Sequence, residues 1–214
     1  MAIFNSLLEV REEMEYQELI TDEATFRALR EQCAALFYTD RRLPERVFRR
    51  GFSSYCVFEH AQIMRKEFAD VLASLAKKSG DKEVNYMTIE PDPVDYYKKH
   101  CGFYGLASFS AETVRDTYIK VMYLDGSVES FRARGGDVGV FWGESMRWAA
   151  FCDRKSWEVC LLGLDVPLGE SAEKELGCMS PSRLTTYISG LYNDKGDVGW
   201  EFAAKLKRNY LSLV

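Results

Sequence analysis

The stretch from Tyr118 to Gly163 constrains the fold most. Aromatic and β-branched residues fill it, and two turn signals break it, Asp125-Gly126 and Asp153-Arg154-Lys155-Ser156. An Asp-Gly pair between apolar runs favours a tight hairpin, because both central positions of its turn take positive φ. The stretch therefore reads as antiparallel hairpins. Strands are expected over residues 118–123 and 127–132, then 138–142 after a Gly135-Gly136 loop, then 147–152 with 157–162. If Asp153 and Ser156 flank a two-residue turn, Cys152 pairs with Trp157, Ala150 with Val159 and Trp148 with Leu161. These six would line one apolar face. Cys160 would fall on the opposite face, so no bond to Cys152 is expected.

The flanking sequence has helical periodicity. A first amphipathic helix is expected near Leu7, Leu8 and Met14. A second, capped by Thr21 or Asp22, carries Phe26, Leu29, Cys33, Leu36 and Phe37 at spacings of three and four. Pro44 suits the first turn of a short helix that Gly51 ends. Ser53 or Ser54 would cap the longest helix, with Val57, Met64, Phe68, Val71, Leu72 and Leu75 in one stripe and Lys77-Lys78 before Gly80.

Residues 83–89 alternate as a strand, which Pro91 and Pro93 end. Asp92 would cap a helix to about His100, and residues 110–117 a helical turn. Ser180 would cap a helix with Leu184, Tyr187, Ile188 and Leu191 inward. Trp200, Phe202, Leu206, Tyr210 and Leu211 mark a C-terminal helix. The class is α+β: an antiparallel meander over about residues 83–163, packed against N-terminal and C-terminal helices. A chain of 214 residues suits a single domain, with Gly80-Asp81 as the junction between a possible helical subdomain 1–80 and a sheet-containing part 81–214.

With 47% hydrophobic and 14% aromatic residues, the chain can build a large core. A net charge of -5 gives no global argument for nucleic acid or an anionic membrane. The N-terminal residues lack the charged and apolar regions of a signal peptide, and no apolar run reaches membrane-helix length. The expected setting is the cytoplasm. Six scattered cysteines (Cys33, Cys56, Cys101, Cys152, Cys160, Cys178) and two histidines, His60 and His100, show no zinc spacing. The cysteines read as reduced core thiols.

The sharpest local anomaly is Arg41, Arg42, Arg46, Arg49 and Arg50 in a net acidic chain. On a helix from Pro44, Arg46, Arg49 and Arg50 would share a face. Guanidinium forks suit carboxylates and phosphates, although such a face can also be solvated and paired with Glu45. Together with Trp142, residues Arg42, Arg46, Arg49 and Arg50 form the candidate binding set.

Other constellations are weaker. His100-Cys101 neighbours point apart on a helix and make no catalytic pair. Glu90, Asp92 and Asp95 read as caps rather than cation ligands. Asn193, Asp194 and Asp197 lack the calcium-loop alternation, and the glycines around Gly139 spell no phosphate loop. No catalytic residue, metal site or cofactor is assigned.

Residues 138–154 followed by 157–163 are similar in style to the terminal hairpin of several small bacterial α+β domains, some of them toxin-immunity proteins. That likeness implies a protein-binding role and no site residue. The first expectation is thus a non-enzymatic intracellular module that binds a protein partner, of immunity or inhibitor type. The rival is a small-molecule enzyme or sensor whose arginines hold an anionic ligand. Membrane and nucleic-acid partners are not expected.

Overall fold

The structure is a computed structural model and describes residues 16–124, 131, 137–191 and 197–211. Its centre is a six-stranded antiparallel sheet. The strands are β1 (Ser54–Glu59), β2 (Glu83–Glu90), β3 (Leu106–Ser110), β4 (Val138–Gly143), β5 (Trp148–Asp153) and β6 (Val159–Leu164), in the order β1-β6-β5-β4-β2-β3. The helices are α1 (Glu23–Leu36), α2 (Glu67–Ser79), α3 (Val114–Tyr123), α4 (Glu170–Leu176), α5 (Pro181–Leu191) and α6 (Asp197–Leu206). Shorter helical turns cover His60–Met64, Pro93–Lys98, Lys99–Cys101 and Lys207–Leu211. The fold is α+β. No described helix is long and apolar enough to cross a membrane.

Both sheet faces are covered, so β4, β5 and β6 are buried along their whole lengths. On one face α2, α3 and α4 pack on Tyr86, Phe141, Trp148, Ala150, Cys152 and Leu162. On the other, α1, the 37–52 loop, α5 and α6 pack on Met87, Val140, Trp142, Phe151 and Leu161. A strand buried on both faces reads as a continuous apolar run, not as an alternation.

The local signals explain many elements. Asp22 Oδ2 accepts the Thr25 N–H at 2.7 Å and caps α1. Gly80 ends α2 at φ 78, a left-handed value that side chains disfavour. Asp92 Oδ1 accepts from Val94 and Asp95 as a cap. The Ser180 hydroxyl accepts the Arg183 N–H at 3.2 Å at the start of α5.

Elsewhere tertiary contacts overrule the sequence reading. Residues 54–59 are strand β1, antiparallel to β6, and not the start of the longest helix. Of these, Cys56, Val57 and Phe58 are all buried, which suits a strand with both faces covered. The helix itself runs only over Glu67–Ser79. Residues 118–123 lie in α3, not in a strand. Its buried Val114, Tyr118, Val121 and Met122 recur with helical spacing, and that period outweighs the β propensity of the residues. Residues 110–117 therefore lead into a helix. The Asp125-Gly126 turn, the 127–132 strand and the Gly135-Gly136 loop lie outside the described residues, Phe131 apart. So does the first helix up to residue 15.

The second hairpin is shifted. Cys152 faces Cys160, Ala150 faces Leu162 and Trp148 faces Leu164, across a loop of residues 154–158. Asp153 Oδ1 accepts the Ser156 N–H at 2.9 Å, and Glu158 takes φ 52, so the turn is longer than the expected two residues. Cys152 and Cys160 therefore share a face as free thiols. Residues 41–51 form turns rather than a helix, with a cis Leu43–Pro44 peptide. The segment folds back on α1 instead: Tyr38 N–H donates to Val47 O, Arg49 N–H to Leu36 O, and Phe37 bridges Phe48.

The cysteine expectation also changes. Cys56 on β1 and Cys178 between α4 and α5 form a disulfide, 122 residues apart in sequence. Met179 N–H donates to Val57 O beside it, so this segment covers part of the β1 edge. At the other edge, residues 18–20 lie along β3, with Ser108 N–H donating to Glu18 O and Ile20 N–H to Leu106 O.

Candidate functional site

The arginine run does not form one face. Arg42 pairs with Glu90 at 3.3 Å and donates to the Thr39 and Arg41 carbonyls. Glu90 also pairs with Lys155, whose hydrogen bond, with help from Arg42, holds the Glu90 carboxyl below its usual range. Asp153 lies close enough to feel both Arg42 and Glu90, and its burial raises its pKa. Arg50 turns the other way. It pairs with Asp165 at 2.6 Å, donates to Met146 O and stacks 4.3 Å from the Phe52 centroid. Burial opposes ionisation of Asp165, but the Ser53 N–H and Arg50 outweigh it and its pKa is lowered.

Arg49 donates to Phe37 O at 3.1 Å and lies 4.4 Å from the Tyr38 ring centroid; Arg41 lies 3.7 Å from the same ring. These cation–π contacts and carbonyl bonds hold the loop in shape. Arg46 is exposed near Tyr210, whose phenol is raised by burial against the pull of the Arg46 charge. Of the four arginines in the candidate set, three thus have structural contacts and Arg46 faces solvent. Trp142 lies at 0% exposure in the core, its indole N–H donating to Gln32 Oε1 at 3.2 Å. It presents no surface to a partner.

The C-terminal segment docks on the arginine loop. Tyr210 hydroxyl donates to Glu45 O at 2.7 Å and accepts the Val47 N–H at 2.6 Å. Asn209 donates to Pro44 O, and Lys205 pairs with Glu45. This brings Arg46 to the same side of the molecule as α6. On α5 and α6 three large apolar residues stand out from the described surface: Trp200 at 61% exposure, Val198 at 50% and Leu191 at 40%. Leu191 therefore points away from the core, contrary to its expected inward place. Phe202 and Leu206 face the core, and Phe202 stacks on Trp157 with centroids 3.9 Å apart.

Sequence reasoning placed Trp200 on the right helix but could not see that it points outward. Its spacing from Phe202 was the available signal: two residues on a helix differ by about 200°, so the two rings cannot share a face.

The remaining constellations separate. His100 is exposed, its ring tilted against that of Tyr96, whereas Cys101 is buried. Asp92 caps a turn, Asp95 pairs with Lys99 at 2.6 Å and Glu90 serves Arg42 and Lys155. Asn193 and Asp194 lie outside the described residues. Among the described residues, no group of three potential ligands could hold a metal ion. Burial pushes the Cys33 thiol up to about 12, which is unsuited to a nucleophile.

No protein-family model, no curated protein and no solved structure matches this chain.

Proposed function

We propose that the chain is a protein-binding module, of inhibitor or immunity type, whose docking face is built on α5 and α6. The observation that carries this reading is the exposed indole of Trp200 on α6, with exposed Leu191 adding apolar surface on α5. Tryptophan contributes disproportionately to protein interfaces, because one ring buries a large area at little cost in side-chain freedom. Exposed Arg46, on the loop that pairs with Lys205 near the end of α6, adds positive charge close to this helix, which favours a partner with an acidic rim around an apolar recess. The core position of Trp142 and the structural contacts of Arg42, Arg49 and Arg50 move the proposed site from the arginine run to the C-terminal helices.

The setting bears on this reading. The sequence points to the cytoplasm, but disulfides such as Cys56–Cys178 persist mainly in oxidising compartments. In the cytoplasm the pair would be two thiols.

The test is a side-by-side pull-down with the full chain and its Trp200→Ala and Arg46→Glu variants. A stoichiometric partner retained by the parent chain, lost with Trp200→Ala and made less salt-sensitive by Arg46→Glu, is the expected result. A partner held equally by all three would remove α6 from the interface.

A further inference from the structure

A second feature lies where β1 passes into the His60–Met64 turn. A cavity of about 420 Å³ opens there, lined by His60, Ala61, Met64, Arg65, Arg154 and Glu158. His60 is buried, and its backbone N–H donates to Glu158 O at 2.9 Å, which fixes the residue against the 154–158 loop. Its ring Nε2 has no hydrogen-bond partner. An unpaired buried ring nitrogen costs free energy unless something supplies a partner. Arg65 and Arg154 are exposed residues at the same cavity, and Glu158 contributes a carboxylate. Two guanidiniums against one carboxylate leave the lining net positive.

We propose that this cavity binds the oxyanion group, carboxylate or phosphate, of a small molecule. Arg65 and Arg154 supply charge and bidentate donors, and the neutral His60 ring supplies an Nε2–H from the floor. Guanidinium forks match both oxyanions. Glu158 sets the selectivity, because it repels a ligand with charge spread over its whole surface and tolerates one whose charge is confined to one end. Burial, and then the Arg154 charge, lower the His60 pKa to about 4. The ring is thus neutral at physiological pH and keeps one donor nitrogen. The site uses none of the arginines of residues 41–50, and it stands or falls apart from the α6 docking face.

The chain has two histidines, so ring NMR resolves the site directly. His100 is exposed and serves as the internal reference. The full chain is titrated with ethyl phosphate and, separately, with propionate, each charged at one end only, against chloride at matched ionic strength. The expected result is a saturable shift of the His60 ring signals alone, with the apparent His60 pKa raised by the bound anion. Arg154→Gln and Arg65→Gln change exposed side chains and should leave the fold intact. Each should weaken binding about tenfold, the loss expected for one charge-assisted contact. Saturation by one probe and not the other identifies the oxyanion. The proposal is overturned if neither probe moves His60 in the millimolar range. It also fails if chloride moves His60 equally, or if both arginine variants bind as the parent does.

Discussion

The indole N–H of Trp148, at the start of β5, donates to Asp81 Oδ2 across 2.9 Å at a buried position just after α2. The same carboxylate accepts the Ser145 N–H at 2.7 Å and the Ser79 hydroxyl. One side chain thus ties the end of a helix to the β4–β5 turn. Gly143 makes room for it: a Cβ there would lie 1.9 Å from Asp81 Oδ2. Asp81→Ala would leave the Ser145 N–H and the indole N–H without this acceptor, and is expected to cost about 3 kcal/mol. Gly143→Ala is expected to cost about 2 kcal/mol by displacing the carboxylate. Urea unfolding of the two single variants and the double variant checks the link. Their losses should be well short of additive, since both remove the same contacts.

The two exposed extremes among the tryptophans should behave oppositely. Trp142→Ala empties a fully buried site and should cost about 3–5 kcal/mol. Trp200→Ala removes a ring that is mostly in water and should change stability by less than about 0.5 kcal/mol. Thermal melts of both settle this. A large loss with Trp200→Ala would mean that the ring packs on its own chain and is not held out for a partner.

His60 gives stability a pH dependence. Its pKa is lowered to about 4 in the folded chain, while an unfolded histidine titrates near its ordinary value of 6.5. Below that value the unfolded chain takes up a proton that the folded chain refuses. Stability from this group is therefore complete above about pH 6.5 and is lost as pH falls toward about 4, by up to roughly 3 kcal/mol. Burial is the main cause of the shift and the Arg154 charge the second; Arg65 and Glu158 line the same cavity. Urea midpoints at about pH 7.5 and pH 5, in buffer free of phosphate, should differ less for His60→Asn than for the parent chain.

The thiol inventory is equally definite. Under denaturing, non-reducing conditions Cys33, Cys101, Cys152 and Cys160 should react with a thiol reagent, and Cys56 and Cys178 only after reduction. Reduction should lower stability by about 2–5 kcal/mol, as expected when the unfolded chain is released from a long closed loop. Mass spectrometry after alkylation reads the count, and a melt with and without reductant reads the cost.

What was legible in the sequence follows from which signals are local. Asp22, Gly80, Asp92 and Ser180 act within a turn of their own positions, and their helix ends were readable. The strand over residues 83–89 and the class were readable too. Register was not. Pairing of β5 with β6 is fixed by burial on both faces, and an uninterrupted apolar run such as Val159–Leu164 gives no alternation to align. The Pro44 segment and β1 were misread because partners that hold them, Tyr210 and β6, lie far off in the chain. The arginines suffered the same way. Arg42 and Arg50 are divided between Glu90 and Asp165, acids that no local spacing connects to them.

One face of the sheet is closed jointly by α1 and the arginine loop from early in the chain and by α5 and α6 from late in it. The contact of Val47 with Tyr210 spans 163 residues. A ribosome extends a chain by about 5–20 residues per second, so the early half of that layer waits roughly 8–30 s for the rest. During that interval Phe48 has no Tyr210 ring beside it, and the loop is open to chaperones. Synonymous codon changes or stalls after residue 180 would lengthen the wait without altering the finished molecule, and would reduce the yield of folded protein at birth.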